Sequence, residues 1–156
     1  MEENQTFHPF FTLLAVFVAV YVNFLVVYQT EMNMWLSLSI MLFNSGLALT
    51  FLFAKMKTVY SKEGIYIRFF PFIWKEKNLL WTDIKLAKIR QYSPIKEYGG
   101  WGIRFSRKNG RAYNVRGKMG LQIVFKSDKM LLIGTQQPTE LENYLSTIET
   151  LKVNDA

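Results

Sequence analysis

The chain has 156 residues and no cysteine, which excludes disulfide frameworks, thiolate nucleophiles and cysteine-ligated metals. Its net charge of +7 is distributed unevenly, because all 19 lysines and arginines follow Ala54, whereas three of the 12 acidic residues precede it. This asymmetry indicates two environments, and the length suffices for one small domain plus a membrane hairpin.

Two uncharged apolar stretches, about residues 10–28 and 34–54, predict transmembrane helices. A bilayer core of about 30 Å requires roughly 20 apolar residues in a helix. The link at residues 29–33 is too short to recross the bilayer, so the two helices must be antiparallel. Residues 1–57 are therefore expected to form a transmembrane hairpin.

The basic residues predict the orientation of this hairpin. Lys55 and Lys57 directly follow the second stretch, whereas the link contains no basic residue. The positive-inside rule then places the C-terminal part in the cytoplasm and the link outside, and the N-terminus returns to the cytoplasmic side of the plasma or inner membrane. A cleaved signal peptide is the alternative for the first stretch, but the acidic start and long apolar run disfavour it.

Polar side chains within the apolar stretches need partners, because lipid offers none. Asn23 and Ser39 are equally distant in sequence from Glu31, so we expect them to lie at similar depth and to contact each other. Neither stretch contains an ionisable residue, which argues against a proton relay or a transporter of charged substrates.

The remaining residues predict a β domain over 58–151. Short runs of β-branched and aromatic residues alternate with glycine-containing turns, which is typical of an antiparallel sandwich or barrel. Asn109-Gly110 predicts a tight hairpin turn between two of these runs. Apolar residues then recur at helical spacing, which predicts a helix over 139–151 and a tail over 152–156.

Several segments of the chain resemble bacterial two-span membrane proteins that carry a PH-like (pleckstrin-homology-like) domain. The resemblance covers nearly the whole chain and implies an α+β membrane protein, in which a two-helix transmembrane hairpin precedes a PH-like antiparallel β-barrel or sandwich capped by a C-terminal helix. It transfers no catalytic activity. The segments are Trp81-Thr82-Asp83-Ile84, Tyr98-Gly99-Gly100-Trp101-Gly102-Ile103-Arg104, Ala112-Tyr113-Asn114-Val115-Arg116-Gly117 and Ile133-Gly134-Thr135-Gln136-Gln137-Pro138.

The basic residues of the β domain are candidates for binding anionic lipid. General attraction to an anionic cytoplasmic leaflet is the simpler interpretation, at about 1 kcal/mol for each residue near the surface. A pocket for one acidic headgroup is the sharper alternative, and nucleic acid is disfavoured because the domain is tethered at a membrane. The candidates are Lys75, Lys77, Arg104, Arg107, Lys108, Arg111, Arg116 and Lys118.

The segment Gly99-Gly100-Trp101-Gly102 is the most unusual local feature, because glycine in a strand marks a bulge, a bend or a close backbone approach. The simpler interpretation is a barrel corner with Trp101 in the core. The alternative is a wall for a ligand or partner, formed by Tyr98 and Trp101.

Catalytic and metal-binding patterns are not recognisable. The sole histidine, His8, lies at the start of the first apolar stretch, where no catalytic triad or metal site can be assembled around it. We therefore expect no cofactor and no enzymatic activity. The leading hypothesis is a membrane-anchored interaction or scaffold module that binds a protein partner or a second copy, and sensing of anionic lipid headgroups is the alternative.

Overall fold

The computed structural model describes residues 1–28 and 32–154, which divide into two compact units. Phe7–Lys55 form a helical unit, whereas Met1–Thr6 and the residues from Met56 onwards form a β unit. Two apolar helices, two sheets and a C-terminal helix define an α+β protein.

The helical unit contains α1 (Pro9–Tyr28) and α2 (Met34–Phe53), in close agreement with the two predicted stretches. Both helices are long and apolar enough to cross a membrane. Ala19 and Ala48 are buried, whereas most large apolar side chains of both helices are exposed. Val26 of α1 is also buried, and the two helices leave a wide apolar surface exposed.

The polar contacts between α1 and α2 differ from the prediction. Asn23 donates a hydrogen bond to Ser45 Oγ (3.1 Å) and accepts one from Asn44 Nδ2 (3.4 Å). Ser39 instead donates to the Trp35 carbonyl of its own helix, so the predicted contact between Asn23 and Ser39 is not formed. Distance from the link sets depth but not the helix face, and at 3.6 residues per turn Ser39 lies about 140° around α2 from Asn44.

The first sheet of the β unit has the strand order β1-β2-β3-β4. Its strands are β1 (Glu2–Thr6), β2 (Lys55–Tyr60), β3 (Gly64–Phe70) and β4 (Ile73–Leu80). Met1 and Tyr60 exchange both backbone hydrogen bonds (3.0 and 2.8 Å), as in an antiparallel pair. The two apolar helices therefore lie, in sequence, between two neighbouring strands of one sheet.

Strand β1 was expected within the hairpin of residues 1–57, but it belongs to the β unit. The Glu3 carboxylate accepts hydrogen bonds from Thr135 Oγ1 (2.7 Å) and from the Gln136 backbone N–H (2.6 Å). Gln5 donates to the Gly134 carbonyl (2.7 Å). Because these polar groups satisfy one another, Glu3 and Gln5 are buried despite their polarity.

The second sheet has the order β5-β8-β9-β7-β6. Its strands are β5 (Ile84–Gln91), β6 (Gly102–Ser106), β7 (Gly110–Asn114), β8 (Met119–Phe125) and β9 (Met130–Thr135). Strand β9 lies between β8 and β7, and it is parallel to β7, so the sheet departs from the purely antiparallel arrangement that was expected. This central position explains the uninterrupted apolar run of β9.

Two helices complete the β unit. A short helix, α3 (Pro94–Tyr98), connects β5 to β6, and α4 (Pro138–Asn154) follows β9. Leu141 and Ile148 of α4 are buried, as the helical spacing predicts. Helix α4 extends beyond the predicted 139–151 into the segment expected to be a tail.

Candidate functional site

A cleft in the β unit brings together three of the eight predicted basic residues. Lys77, Arg107 and Arg111 line a cavity of about 540 Å³, and Lys129 adds a fourth cation that was not predicted. The cavity lies between β4, the β6–β7 hairpin and the turn that joins β8 to β9. Its apolar lining includes Phe105, Phe125, Met130 and Leu131.

Two of these cations converge on one phenol oxygen. Lys77 Nζ and Arg111 Nη1 both donate to Tyr113 Oη, at 3.4 and 3.5 Å. Lys77 Nζ also lies 5.6 Å from the centre of the Tyr113 ring, within the range of a cation–π interaction. Tyr113 is buried, and its neutral hydroxyl accepts from both cations without neutralising either charge.

The β6–β7 hairpin positions Arg107 and Arg111. Ser106 pairs with Gly110, which leaves a three-residue loop and confirms the predicted hairpin. Gly110 has φ +75°, and a Cβ atom there would lie 2.1 Å from the Met130 carbonyl oxygen. Only glycine permits this approach, which brings the start of β7 beside the start of β9.

The cations of the cleft take no part in the three ion pairs found among the described residues. Those ion pairs are Lys57–Glu2 (2.9 Å), Lys85–Asp128 (3.2 Å) and Arg90–Glu97 (2.7 Å). Asp128 is the acidic residue in the cleft lining, and its carboxylate is already bound to Lys85. The lining therefore carries an excess of positive charge.

The other predicted basic residues lie apart from the cleft lining. Lys75 and Lys108 are exposed. Arg104 Nε donates to the Trp101 carbonyl (2.9 Å), and Arg116 donates to the side-chain oxygen of Gln136. Lys118 lines a separate cavity of about 380 Å³ that also includes Glu97. The eight candidates thus do not form one site.

Glu97 organises this second region. It accepts hydrogen bonds from Arg90 Nη2 (2.7 Å), the Ser93 backbone N–H (2.7 Å) and Asn109 Nδ2 (3.1 Å). The hydrogen bond from Arg90 is the main cause that holds the pKa of the Glu97 carboxyl below its usual value; burial opposes it, and the hydrogen bond from the Ser93 backbone N–H adds a smaller lowering effect. Glu97 therefore ties α3 to β5 and to the β6–β7 hairpin.

Tyr98 and Trp101 do not form the predicted wall. Tyr98 is buried, stacks edge-on against Tyr92 with ring centres 6.0 Å apart, and donates to the Asn109 carbonyl (3.3 Å). Trp101 is half-buried and donates to the Gly117 carbonyl (3.3 Å). Helix α3, which the sequence analysis missed, turns Tyr98 into the core, and this corrects its assignment as a ligand or partner wall.

Two exposed aromatic side chains, Phe72 and Trp74, lie directly before β4 and on it. Phe72 is 54% exposed and Trp74 is 66% exposed, and the Trp74 ring lies 5.2 Å from that of Phe70. Among residues 1–28 and 32–154, β4 pairs within its sheet only with β3, so its outer edge is unpaired in that sheet. Exposed aromatic side chains on an unpaired edge are typical of an interaction surface.

No protein-family model, curated protein or solved structure matches this chain. Among the described residues, no group of three or more histidine, aspartate or glutamate side chains could hold a metal ion.

Proposed function

We propose that α1 and α2 insert into a membrane and that the β unit lies on its cytoplasmic side. Exposed apolar side chains cover both helices, a surface that water disfavours and lipid accommodates. All 19 basic residues follow α2, which supports the cytoplasmic placement through the positive-inside rule.

The pairing of β1 with β2 supports the same topology. Strand β1 precedes α1 and β2 follows α2, and the two strands are neighbours in one sheet. Both ends of the hairpin therefore lie on one side of the membrane, and the link 29–33 lies on the other. Cleavage after the first span would remove the hydrogen bonds of Glu3 and Gln5, so an uncleaved anchor is favoured.

The absence of cysteine makes this topology directly testable. Thr30→Cys in the link should react with a membrane-impermeant maleimide on intact cells, whereas Ser127→Cys in the β8–β9 turn should react only after lysis. Labelling of Ser127→Cys on intact cells would overturn the proposed orientation.

We infer that the anchored β unit is a non-enzymatic interaction module with a PH-like fold. Two sheets followed by a C-terminal helix support the PH-like assignment. The observation that carries the function is the exposed Trp74 on β4, whose outer edge is unpaired within its sheet, together with the exposed Phe72 directly before the strand. Tryptophan is strongly enriched among the residues that dominate binding energy in protein interfaces.

The chemistry of β4 defines the partner that it would bind. An extended segment can add to an unpaired strand edge through backbone hydrogen bonds, with side chains supplying specificity. Phe72 and Trp74 favour apolar side chains in that segment, and Lys75 and Lys77 outnumber Glu76 along the strand. The proposed partner is therefore a protein with an extended apolar and acidic segment.

A photo-crosslinking phenylalanine analogue placed at Trp74 tests this function in cells. The matched control position is Leu86, which is 55% exposed on β5, at an edge of the other sheet. We expect a discrete protein adduct from position 74 and not from position 86. An adduct with a second copy would show self-association instead, and the absence of a protein adduct at position 74 would contradict the proposal.

Attraction to anionic lipid is the second candidate function, and the exposed cations Arg107, Lys108 and Arg111 of the β6–β7 hairpin favour it. Hydrogen exchange of this hairpin should be slower in nanodiscs with anionic lipid than in zwitterionic nanodiscs. At about 1 M salt the Debye length falls to about 3 Å, so this difference in exchange rate should disappear. Reversal of the three charges should also abolish the difference. A difference that does not depend on salt would exclude general attraction.

A further inference from the structure

We propose that the cleft between β4, the β6–β7 hairpin and the β8–β9 turn is a saturable binding site for a phosphomonoester. Neither partner binding at β4 nor diffuse attraction to anionic lipid requires such a site. Four cations line it, namely Lys77, Arg107, Arg111 and Lys129. The ligand is a doubly charged phosphate attached to a small organic group. It can belong either to a soluble metabolite or to a lipid headgroup.

The charge arrangement of the cleft favours an anion with several acceptor oxygens. Lys77 and Arg111 share one neutral acceptor, Tyr113 Oη, through hydrogen bonds of 3.4 and 3.5 Å. Lysine has three donors and arginine has five, so both retain donors that Tyr113 does not use. A terminal phosphate presents three oxygens and can bind both cations, with arginine binding in a two-pronged geometry.

The surroundings strengthen this preference. Leu131 of the cleft lining is buried, and so is Tyr113, which contacts Lys77 and Arg111. Beside such buried groups a lower local dielectric makes charge-assisted hydrogen bonds stronger than in water. The carboxylate of Asp128, which would repel an anion, is engaged by Lys85 at 3.2 Å. An anion therefore meets four cations and one carboxylate in the cleft lining, and that carboxylate is paired with Lys85.

The apolar side of the cleft suits the organic part of the ligand. Phe105 is 71% exposed and pairs across the hairpin with Arg111, so an aromatic surface and a cation stand side by side. Phe125 and Met130 extend this lining. A carbon skeleton bound to the phosphate can cover these groups, which makes a phosphomonoester a better fit than inorganic phosphate.

The test uses the full chain in phosphatidylcholine nanodiscs, titrated calorimetrically with glycerol 3-phosphate. The site variant is Lys77→Gln/Arg111→Gln. The control is Lys62→Gln/Lys88→Gln, which removes the same charge from exposed positions outside the cleft. We expect saturable binding that the site variant weakens at least about tenfold and the control changes less than about threefold, because one charge-assisted contact corresponds to about a tenfold change in affinity.

A second arm separates the two sources of the phosphate. In nanodiscs that contain phosphatidic acid, suppressed binding of glycerol 3-phosphate would show that the lipid headgroup occupies the cleft, whereas unchanged binding would assign a soluble phosphomonoester. Phe105→Ser, at an exposed position, keeps all four cations and should weaken the binding of phenyl phosphate, a phosphomonoester with an apolar organic group, more than the binding of inorganic phosphate. Absence of binding to wild type, or equal losses in the site variant and the control, would overturn the proposal.

Discussion

The carboxylate of Glu3 accepts a 2.7 Å hydrogen bond from the hydroxyl of Thr135, 132 residues later in the chain. The same carboxylate accepts a hydrogen bond from the backbone N–H of Gln136 at 2.6 Å. Glu3 and Thr135 are both buried. This contact joins the first sheet to the central strand of the second sheet, and it connects the segment before α1 to the β unit.

Glu3→Ala should destabilise the β unit. The substitution leaves the Thr135 hydroxyl and the Gln136 N–H without their acceptor, and a buried unsatisfied group costs about 1–3 kcal/mol. Chemical denaturation followed by tryptophan fluorescence in detergent measures this change. Glu2→Ala is the matched control, because Glu2 is exposed and its ion pair with Lys57 lies at the surface. Equal stability of the two variants would contradict a structural role for Glu3.

Glu97 should make the β unit sensitive to acid. Its pKa is lowered in the folded state, chiefly by the hydrogen bond from Arg90, so its ionised form stabilises the fold at pH above its unfolded value near 4.5. That stabilisation is lost as the pH falls below this value towards the lower folded pKa. Glu97→Gln should flatten the fall in unfolding free energy below about pH 4.5. A parallel pH profile for wild type and variant would contradict this linkage.

Gly110→Ala should distort the cleft as well as the fold. The left-handed backbone alone costs a residue with a side chain about 1–2 kcal/mol, and the Cβ atom would also meet the Met130 carbonyl oxygen at 2.1 Å. Gly117→Ala is the control, because it has φ +83° but its Cβ atom would lie 3.9 Å from the nearest neighbour. We expect a larger loss of thermal stability for Gly110→Ala, and similar losses would argue against the close approach.

Asn44→Leu should weaken the helical hairpin modestly. Asn44 donates to Asn23 Oδ1 and to the Ala19 carbonyl. For the proposed membrane insertion, where hydrogen bonds between helices contribute about 0.6 kcal/mol on average, the expected loss is of that order. Ser39→Ala is the control, since Ser39 bonds within its own helix. Unfolding in mixed micelles, followed by circular dichroism, should separate the two variants, and a larger effect of Ser39→Ala would contradict the assigned contacts.

The helices were predictable because their signal is local. Length and lack of charge alone predict the positions of α1 and α2 to within one residue. Strand β1 was missed because its sequence, Glu-Glu-Asn-Gln-Thr, has no apolar residue, and its burial depends on partners far along the chain. Helix α3 did carry a signal: Ser93 caps it, Pro94 begins it and Gly99 ends it with φ +72°.

The cleft shows a different limit of sequence analysis. Lys77, Arg107 and Arg111 were predicted as basic candidates, but their proximity depends on the pairing of β7 with β9 and on the approach of β4 to Tyr113. Lys129 was missed because only the β8–β9 turn brings it to the same place. Residue type therefore predicted that the candidates are basic, whereas the long-range order of the strands determined which of them line the same cleft.

The position of β1 has a consequence for synthesis of the protein. Residues Glu2–Thr6 leave the ribosome before both apolar helices, but their partners on β2 and at Thr135 are made afterwards. Strand β1 therefore stays unpaired until its partners have been synthesised, and contacts between residues so distant in sequence are slow to form. In the proposed topology, insertion of the two helices would therefore precede closure of the β unit, and β1 would have to stay on the side of the β unit until β9 emerged.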